Sequence, residues 1–357
     1  MRIAILEVDP AERSATGVRG RAMAEYLRGR GHDVAVLHPP AGFLERFSRT
    51  RFSFKARALR RLSGRKTLPH LWDAMSEVLR KQIRRGGFDV VIGRGQNVAY
   101  SLVGMGGLVR ILDLPNVEFL ENYYSSNPNL VEVDETFLKE QDVLREVDHI
   151  LVPHPLLARL ISEAFPHVGG LERKVVNVRI GAEPASRQAQ FAWPPRIVYA
   201  GSYYYFQDPY LLSLLSGSSP FPIDCYGSRD PNRGFLPTRL QYKGYLPTAD
   251  FLADYQFGLI TVSQDRLRRY SPTTKMSYYL MHGLPVLFPE WMREGYDHPE
   301  CAVPYTEESF ASVVRESSER PTWERLAAAA REAARALAWE DTLAPIARLV
   351  EAPRSLD

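Results

Sequence analysis

The sequence predicts an α/β protein made of two parallel-sheet units in tandem. Short apolar strands alternate with amphipathic helices in the first half of the chain, the pattern of a parallel sheet covered by helices. Residues 182–195 then lose all periodicity and are rich in Ala, Pro, Gln and Ser, as expected of an interdomain linker. A second series of strands and helices follows, and 357 residues are enough for two cores.

The first unit opens with a strand–helix–strand motif. Ile3 to Leu6 is a short apolar strand, and residues 7–17 are predicted as a polar loop. Apolar residues recur at helical spacing from Val18 to Arg30, and residues 33–37 form the next strand. Later strands of this unit are expected at 89–92, 109–112 and 149–152.

The second unit repeats this alternation. Its helices are expected at 249–255 and 323–351, the latter broken near Ala338 and Pro345. Its strands are expected at 196–200, 222–226, 240–245 and 257–261.

Composition limits the class of protein. With 45% hydrophobic and 24% charged residues and a net charge of +3, the chain is typical of a soluble globular protein. Two cysteines, Cys225 and Cys301, are too few for a disulfide framework or a zinc site and suit a reducing compartment. The chain starts as a strand and has no apolar run near the length of a membrane span, so we expect a cytoplasmic protein.

The segment from Ser271 to Phe288 gives the clearest indication of a ligand site. Ser271 suits a helix N-cap, and a proline follows it at the first helical position. Lys275 then places a cation in the first turn, where it opposes the helix dipole; a bound anion would remove that conflict. A solvated lysine on an ordinary helix is the alternative. Gly283 ends the helix before an apolar strand.

Several motifs together resemble the GT-B glycosyltransferases over nearly the whole chain. They are Thr16–Gly20 followed by Gly31–Val34, Val198–Ser202, Ser271–Val286 and Trp339–Asp341. The resemblance implies two Rossmann-like domains facing a cleft: an acceptor-binding domain at 1–185 and a nucleotide-sugar-binding domain at 190–337. A last helix, at about 338–352, would cross back onto the first domain.

The resemblance also implies an activity, the transfer of a sugar from a nucleotide-diphosphate donor to an acceptor hydroxyl. A UDP-sugar donor and no metal or other cofactor are expected, with a glycan, a lipid-linked sugar or a small molecule as acceptor. The donor diphosphate would contact Lys275, Ser271, Thr273, Thr274, Gly201 and Ser202. The base or sugar would contact Tyr203, Tyr226, Gly227, Tyr245 and Tyr278, and the acceptor or its loops would involve Thr16, Gly17, Glu118, Glu121 and His154.

One departure from the family bears on the mechanism. Tyr270 and Tyr278 stand where retaining members of family four carry two glutamates, so the layout is closer to inverting enzymes of bacterial polysaccharide assembly. An inverting reaction needs a base for the acceptor hydroxyl. Asp113, at the end of a predicted strand, is the first candidate, although it could equally cap the turn before Pro115. Glu118, Glu121, His38 and His154 are its rivals.

Residues 46–66 form a basic segment, with nine Lys or Arg, no Asp or Glu, and three interleaved phenylalanines. A solvated charged face is the ordinary interpretation. The density of charge favours an anionic partner, such as the inner face of the cell membrane or a lipid diphosphate, over nucleic acid. Arg80, Lys81, Arg84 and Arg85 would extend this surface.

Three other classes of protein share features with this sequence. A nicotinamide-dependent dehydrogenase would need Gly-x-Gly-x-x-Gly after the first strand, where only Gly17 and Gly20 stand. A nucleotide-sugar epimerase of the same fold is the nearer enzymatic alternative. A catalytically degenerate binding subunit is the non-enzymatic one, supported by Tyr270 and Tyr278.

Overall fold

A computed structural model describes residues 1–8, 15–40, 42–43, 71–125, 128–201, 208–227, 240–245, 249–264, 267–270 and 273–351. The chain divides into two compact units. The first comprises Met1–Val178 and the C-terminal stretch that starts at Pro345, and the second comprises Arg179–Ala344.

The first unit is built on a six-stranded parallel sheet in the order β2-β1-β3-β4-β5-β6. Its strands are β1 (Arg2–Leu6), β2 (Asp33–Leu37), β3 (Val90–Arg94), β4 (Val109–Asp113), β5 (His149–Val152) and β6 (Val175–Asn177). The first five match the predicted strands, whereas β6 is too short to show a pattern. In such sheets ligands bind beyond the carboxyl ends of the strands, next to the point where the strand order reverses, here around β1 and β3.

Helices of the first unit cover its sheet with apolar faces. They are α1 (Ala15–Gly29), α2 (Leu71–Gly86), α3 (Gln96–Ala99), α4 (Glu118–Tyr123), α5 (Leu130–Glu146), α6 (Pro155–Ala164) and α7 (Leu171–Lys174), with a 3-10 turn at Tyr100–Leu102. On α2 the buried residues Trp72, Met75, Leu79 and Ile83 recur at helical spacing. The first helix begins before Val18, so Gly17 lies inside α1 and not in the predicted loop.

The second unit has its own six-stranded parallel sheet, in the order β12-β11-β10-β7-β8-β9. Its strands are β7 (Ile197–Ala200), β8 (Ile223–Tyr226), β9 (Gln241–Tyr242), β10 (Phe257–Leu259), β11 (Val286–Pro289) and β12 (Ala302–Tyr305). This is the strand order of a dinucleotide-binding fold, with the reversal between β7 and β10. The edge strand β12 was not predicted because Pro304 interrupts its short sequence.

The helices of the second unit differ from expectation at their ends. They are α8 (Pro209–Ser218), α9 (Lys275–Met281), α10 (Phe310–Ser317) and α11 (Arg320–Ala334), with 3-10 turns at Ala249–Asp254, Leu267–Arg269, Glu290–Gly295, Pro299–Cys301 and Arg335–Leu337. The last helix, α12 (Trp339–Glu351), begins in this unit, and its residues from Pro345 belong to the first unit. α9 begins at Lys275 and ends before Gly283, whose φ is +69°. Pro345 lies within α12 and does not end it.

Residues 182–195 are tied to the second unit by hydrogen bonds. The backbone N–H of Ala182 donates to Leu337 O (2.9 Å) and that of Ala189 to His282 O (2.8 Å). The Gln188 amide donates to Met281 O at 2.8 Å. A stretch without periodicity is therefore held by single hydrogen bonds and not by a regular element. Within the described residues, every helix is too short or too polar to serve as a membrane span.

Candidate functional site

In the second unit, Tyr279 fixes α9 against the point where the strand order reverses. Its ring occupies the space that a side chain at Gly258 of β10 would need. Its hydroxyl accepts from the Ala200 N–H (3.0 Å) and donates to Leu259 O (3.2 Å), so it joins the ends of β7 and β10. This fully buried tyrosine sets the position of the residue one turn earlier, Lys275.

Lys275 lies against the end of β7. Its Nζ is 5.3 Å from the centre of the buried Tyr199 ring, within the range of a cation–π contact. A Cβ atom at Gly201 would fall on the lysine stem and lie 3.0 Å from Nζ, so a larger residue here would displace the end of the Lys275 side chain. Lys275 and Gly201, which the sequence analysis assigned to the diphosphate, are thus in direct proximity.

A second cation, Arg268, stands near Lys275. Burial, and then the positive charge of Arg268, lower the pKa of the Lys275 ammonium to about 7. Two cations that repel each other at the carboxyl ends of parallel strands would be stabilised by an anion between or beside them. Arg268 was not predicted from the sequence, where its only signal is its place in a basic pair just before Tyr270.

The other predicted donor residues fall into three groups. The Thr273 hydroxyl accepts from the Lys275 N–H at 3.4 Å, and Thr274 immediately precedes α9. Tyr278 is half-buried on α9, and its carbonyl oxygen lies 2.8 Å from His282 Nδ1. Ser202, Tyr203 and Ser271 lie outside the described residues.

Tyr226 and its neighbours form a hydrogen-bonded cluster instead of a free surface. The Tyr226 hydroxyl is 3.1 Å from the Tyr255 hydroxyl, which donates to the buried Asp224 carboxylate at 2.8 Å. The Gly227 N–H donates to Gly244 O at 3.0 Å. Tyr245 is half exposed. Of this group, Tyr245 has the most accessible ring for stacking on a base.

In the first unit, Asp113 belongs to a buried ionic cluster. Arg19 donates to both of its carboxylate oxygens, at 2.9 Å and 3.1 Å, and Arg94 approaches at 3.3 Å. Arg94 also donates to Glu7 at 2.7 Å, and all four side chains are nearly inaccessible. Burial alone would raise the pKa of Asp113, but the charges of Arg19 and Arg94 hold it below its usual value. This setting suits an ion pair and not proton abstraction.

Gly20 is part of the same cluster. A Cβ atom at Gly20 would fall on the Glu7 carboxylate and the Arg94 guanidinium. Of the two glycines noted in the sequence, Gly20 therefore allows α1 to approach the buried charges closely. Gly17 is buried in α1, and the side chain of Thr16 lies outside the described set.

Glu118 has the environment of a group that exchanges protons near neutrality. It begins α4, just beyond the end of β4. Burial, and then the negative charge of Glu121, raise its pKa to about 7. Behind it lies the buried Glu140, whose carboxylate accepts from the Glu118 N–H (2.6 Å) and from Gln96 Nε2 (2.8 Å). Burial, and then Glu118, also raise the pKa of Glu140 well above its usual value.

His154 has a structural role. Its Nδ1 accepts from the Leu156 N–H at 3.1 Å and caps the N-terminus of α6, and its ring is buried. Glu121 lies one turn along α4 from Glu118, which explains its effect on the pKa there. Among the described residues no group of three or more His, Cys, Asp or Glu is arranged to hold a metal ion.

No family model and no curated protein matches the sequence. Solved structures do match the fold along almost its whole length. Sucrose-phosphate synthase from Thermosynechococcus elongatus superposes with a TM-score of 0.73 at 14% identity, covering 98% of each chain. HepE of Anabaena, in complex with UDP-glucose, gives 0.69 at 10% identity, covering 99% of this chain and 100% of that chain. WaaG, a glycosyltransferase involved in lipopolysaccharide biosynthesis, gives 0.66 at 13% identity, covering 98% and 100%.

At these identities the likeness concerns the fold. Two six-stranded parallel sheets with helices, together with these neighbours, show the GT-B glycosyltransferase fold, and the predicted α/β fold class is confirmed.

Proposed function

We propose that this protein is a glycosyltransferase that moves a sugar from a nucleotide-diphosphate donor to an acceptor hydroxyl in bacterial glycan or glycoconjugate biosynthesis. The observation that carries the proposal is the pair of cations, Lys275 and Arg268, at the strand reversal of the second sheet. The fold supports it, since a neighbour of this fold is described in complex with UDP-glucose. A UDP-sugar is the proposed donor.

The chemistry gives the two cations a role. Glycosyl transfer breaks the bond between the anomeric carbon and the β-phosphate oxygen, and negative charge develops on the departing diphosphate. Lys275 and Arg268 would stabilise that charge through charge-assisted hydrogen bonds. Gly201 would let the ammonium group and the diphosphate approach the end of β7 closely.

Glu118 is the proposed base of an inverting reaction, in place of Asp113. Deprotonation of the acceptor hydroxyl needs a carboxylate with a pKa near the working pH, because a strongly stabilised carboxylate is a weak base. The pKa of Glu118 is raised to about 7, whereas that of Asp113 is held below its usual value by two arginines. Tyr270 and Tyr278, in place of two glutamates, agree with inversion.

The donor is tested by thermal shift with the diphosphates of uridine, guanosine, thymidine and adenosine. One nucleotide, expected to be UDP, should raise the melting temperature most, and Lys275→Ala should reduce that shift. A binding protein without transferase activity would give the shift but no donor hydrolysis or transfer. An epimerase would convert the donor sugar without an acceptor, and no nucleotide shift at all would overturn the proposal.

Mechanism and location need separate measurements. The anomeric configuration of the product, read by NMR, decides between inversion and retention. We also propose peripheral attachment of a cytoplasmic enzyme to the inner face of the cell membrane through residues 46–66, which lie outside the described residues. Co-sedimentation with anionic and neutral liposomes at low and high salt tests this attachment.

A further inference from the structure

Helix α2 lines a cavity of about 330 Å³ in the first unit, apart from the residues proposed for catalysis. The lining residues are Asp73, Ser76, Glu77, Arg80, Lys81, Arg84 and Tyr100. Six of the seven lie on α2 in two rows of four-residue spacing, so each row follows one side of the helix. Tyr100, from the turn after α3, completes the wall.

In one row, Asp73–Glu77–Lys81, every charged side chain is paired. Lys81 pairs with Glu77 at 2.9 Å. Asp73 pairs with Lys139 of α5 at 2.5 Å, and the same Nζ lies 4.4 Å from the centre of the Tyr100 ring. Because both carboxylates of the cavity are paired in this way, they do not offset the positive charge of the other row.

The other row, Ser76–Arg80–Arg84, provides positive charge and a hydroxyl that can donate a hydrogen bond. Arg80 is held in place because its guanidinium donates to the carbonyl oxygens of Tyr100, Ser101 and Val103 at 3.0–3.2 Å. Within the described part of the chain, neither Arg80 nor Arg84 has a carboxylate partner. Two guanidinium charges therefore remain after the internal pairs are counted.

Ser76 points independently to a ligand. It is only 2% exposed and lines the cavity, yet its Oγ has no hydrogen-bond partner. A buried hydroxyl without a partner costs free energy, and an oxygen of a bound anion would satisfy it.

We infer that this cavity binds a phosphate group. A phosphate offers several oxygens to the hydroxyl of Ser76, to Nη1 of Arg80, which makes none of the three carbonyl contacts, and to the donor fork of Arg84. Phosphate binding in this cavity does not depend on the proposed function; if that function holds, the ligand is a phosphorylated acceptor. The phosphate comes either from a soluble phosphate ester or from a lipid headgroup.

Pyrophosphate is the probe, titrated by calorimetry at low salt into the full chain carrying Lys275→Ala, which weakens binding at the proposed donor site of the second unit. One pyrophosphate per chain should bind with the higher affinity. Ser76→Ala and Arg84→Gln, each added to this background, should weaken binding about ten-fold or more, the effect of one charged or buried hydrogen bond. Arg85→Gln is the matched control, because Arg85 is an exposed arginine of the same helix outside the cavity.

The source of the phosphate is found with vesicles of phosphatidylcholine, with and without phosphatidic acid. Capture that needs phosphatidic acid and is lost in Arg84→Gln assigns the cavity to a lipid headgroup. Pyrophosphate binding without capture assigns it to a soluble ester. Equal weakening by Arg85→Gln and Arg84→Gln, or no binding of either probe, overturns the inference. Nucleotide thermal shift of the Arg84→Gln chain, in which the cavity is impaired and the second unit is unchanged, reports on the donor site, so the two proposals fail separately.

Discussion

Donor affinity should fall as the pH rises above neutrality, because Lys275 must carry its proton to bind a diphosphate. Burial and the neighbouring Arg268 lower the pKa of this lysine from 10.5 to about 7. A bound diphosphate adds negative charge beside the ammonium group and would keep the lysine protonated in the complex. Both phosphates of a nucleotide sugar stay ionised across this range, so the pH effect reports on the protein.

The size of the effect follows from the protonated fraction. For a pKa of about 7, raising the pH from about 6.5 to about 8.5 lowers that fraction about 25-fold, or about 2 kcal/mol of binding free energy. Calorimetry of UDP-sugar binding in buffers of different ionisation enthalpy should also show close to one proton taken up per complex at the higher pH.

Two variants make the prediction specific to Lys275. Lys275→Ala should bind weakly with little pH dependence over this range. Arg268→Gln removes a repelling charge, so the pKa of Lys275 should rise and the loss of affinity should begin at higher pH. A slope that persists unchanged in Lys275→Ala would refute the assignment.

Further predictions concern the glycines, the carboxylates and folding. Gly201→Ala should weaken donor binding roughly ten-fold or more, with near-normal thermal stability, because its Cβ displaces the Lys275 side chain; unchanged affinity would contradict the proposed contact. Gly20→Ala should cost roughly 3–5 kcal/mol in the free energy of unfolding by breaking the buried Glu7–Arg94 pair. Gly29→Ala, with no atom within 4 Å of the added Cβ, is its control in denaturant titrations. Glu118→Gln should lower turnover by roughly 10²–10⁴ with the fold intact, whereas Asp113→Asn should mainly destabilise the first unit; a stable, inactive Asp113→Asn would return the base to Asp113. The pKa of Lys275 is lower in the folded than in the unfolded chain, so the unfolded state binds more protons between about pH 7 and 10.5 and stability should rise with pH across that window. Lys275→Ala should remove this rise in urea denaturation series.

Local pattern was sufficient for most of the fold. The apolar strands β1 to β5 and the helix after β1 were predicted because their periodicity lies within a few residues. The strands missed, β6 and β12, are short or interrupted by proline, so no period develops. Lys275 was found for a similar reason, since its conflict with the first turn of a helix is a local signal.

The assignment of roles depended on the tertiary structure. Asp113 ended a predicted strand and looked like a base, but Arg19, 94 positions away, reaches its carboxylate only because α1 packs over the ends of β1, β3 and β4. The raised pKa of Glu118 likewise depends on burial beside α5, and the orphan hydroxyl of Ser76 on its enclosure in a cavity. The sequence alone therefore determined the two-unit α/β pattern and indicated one cation of the proposed donor site, because these are set by neighbours in the chain. Which carboxylates are paired and which can exchange a proton was decided by strand order and burial, which join residues far apart in the chain.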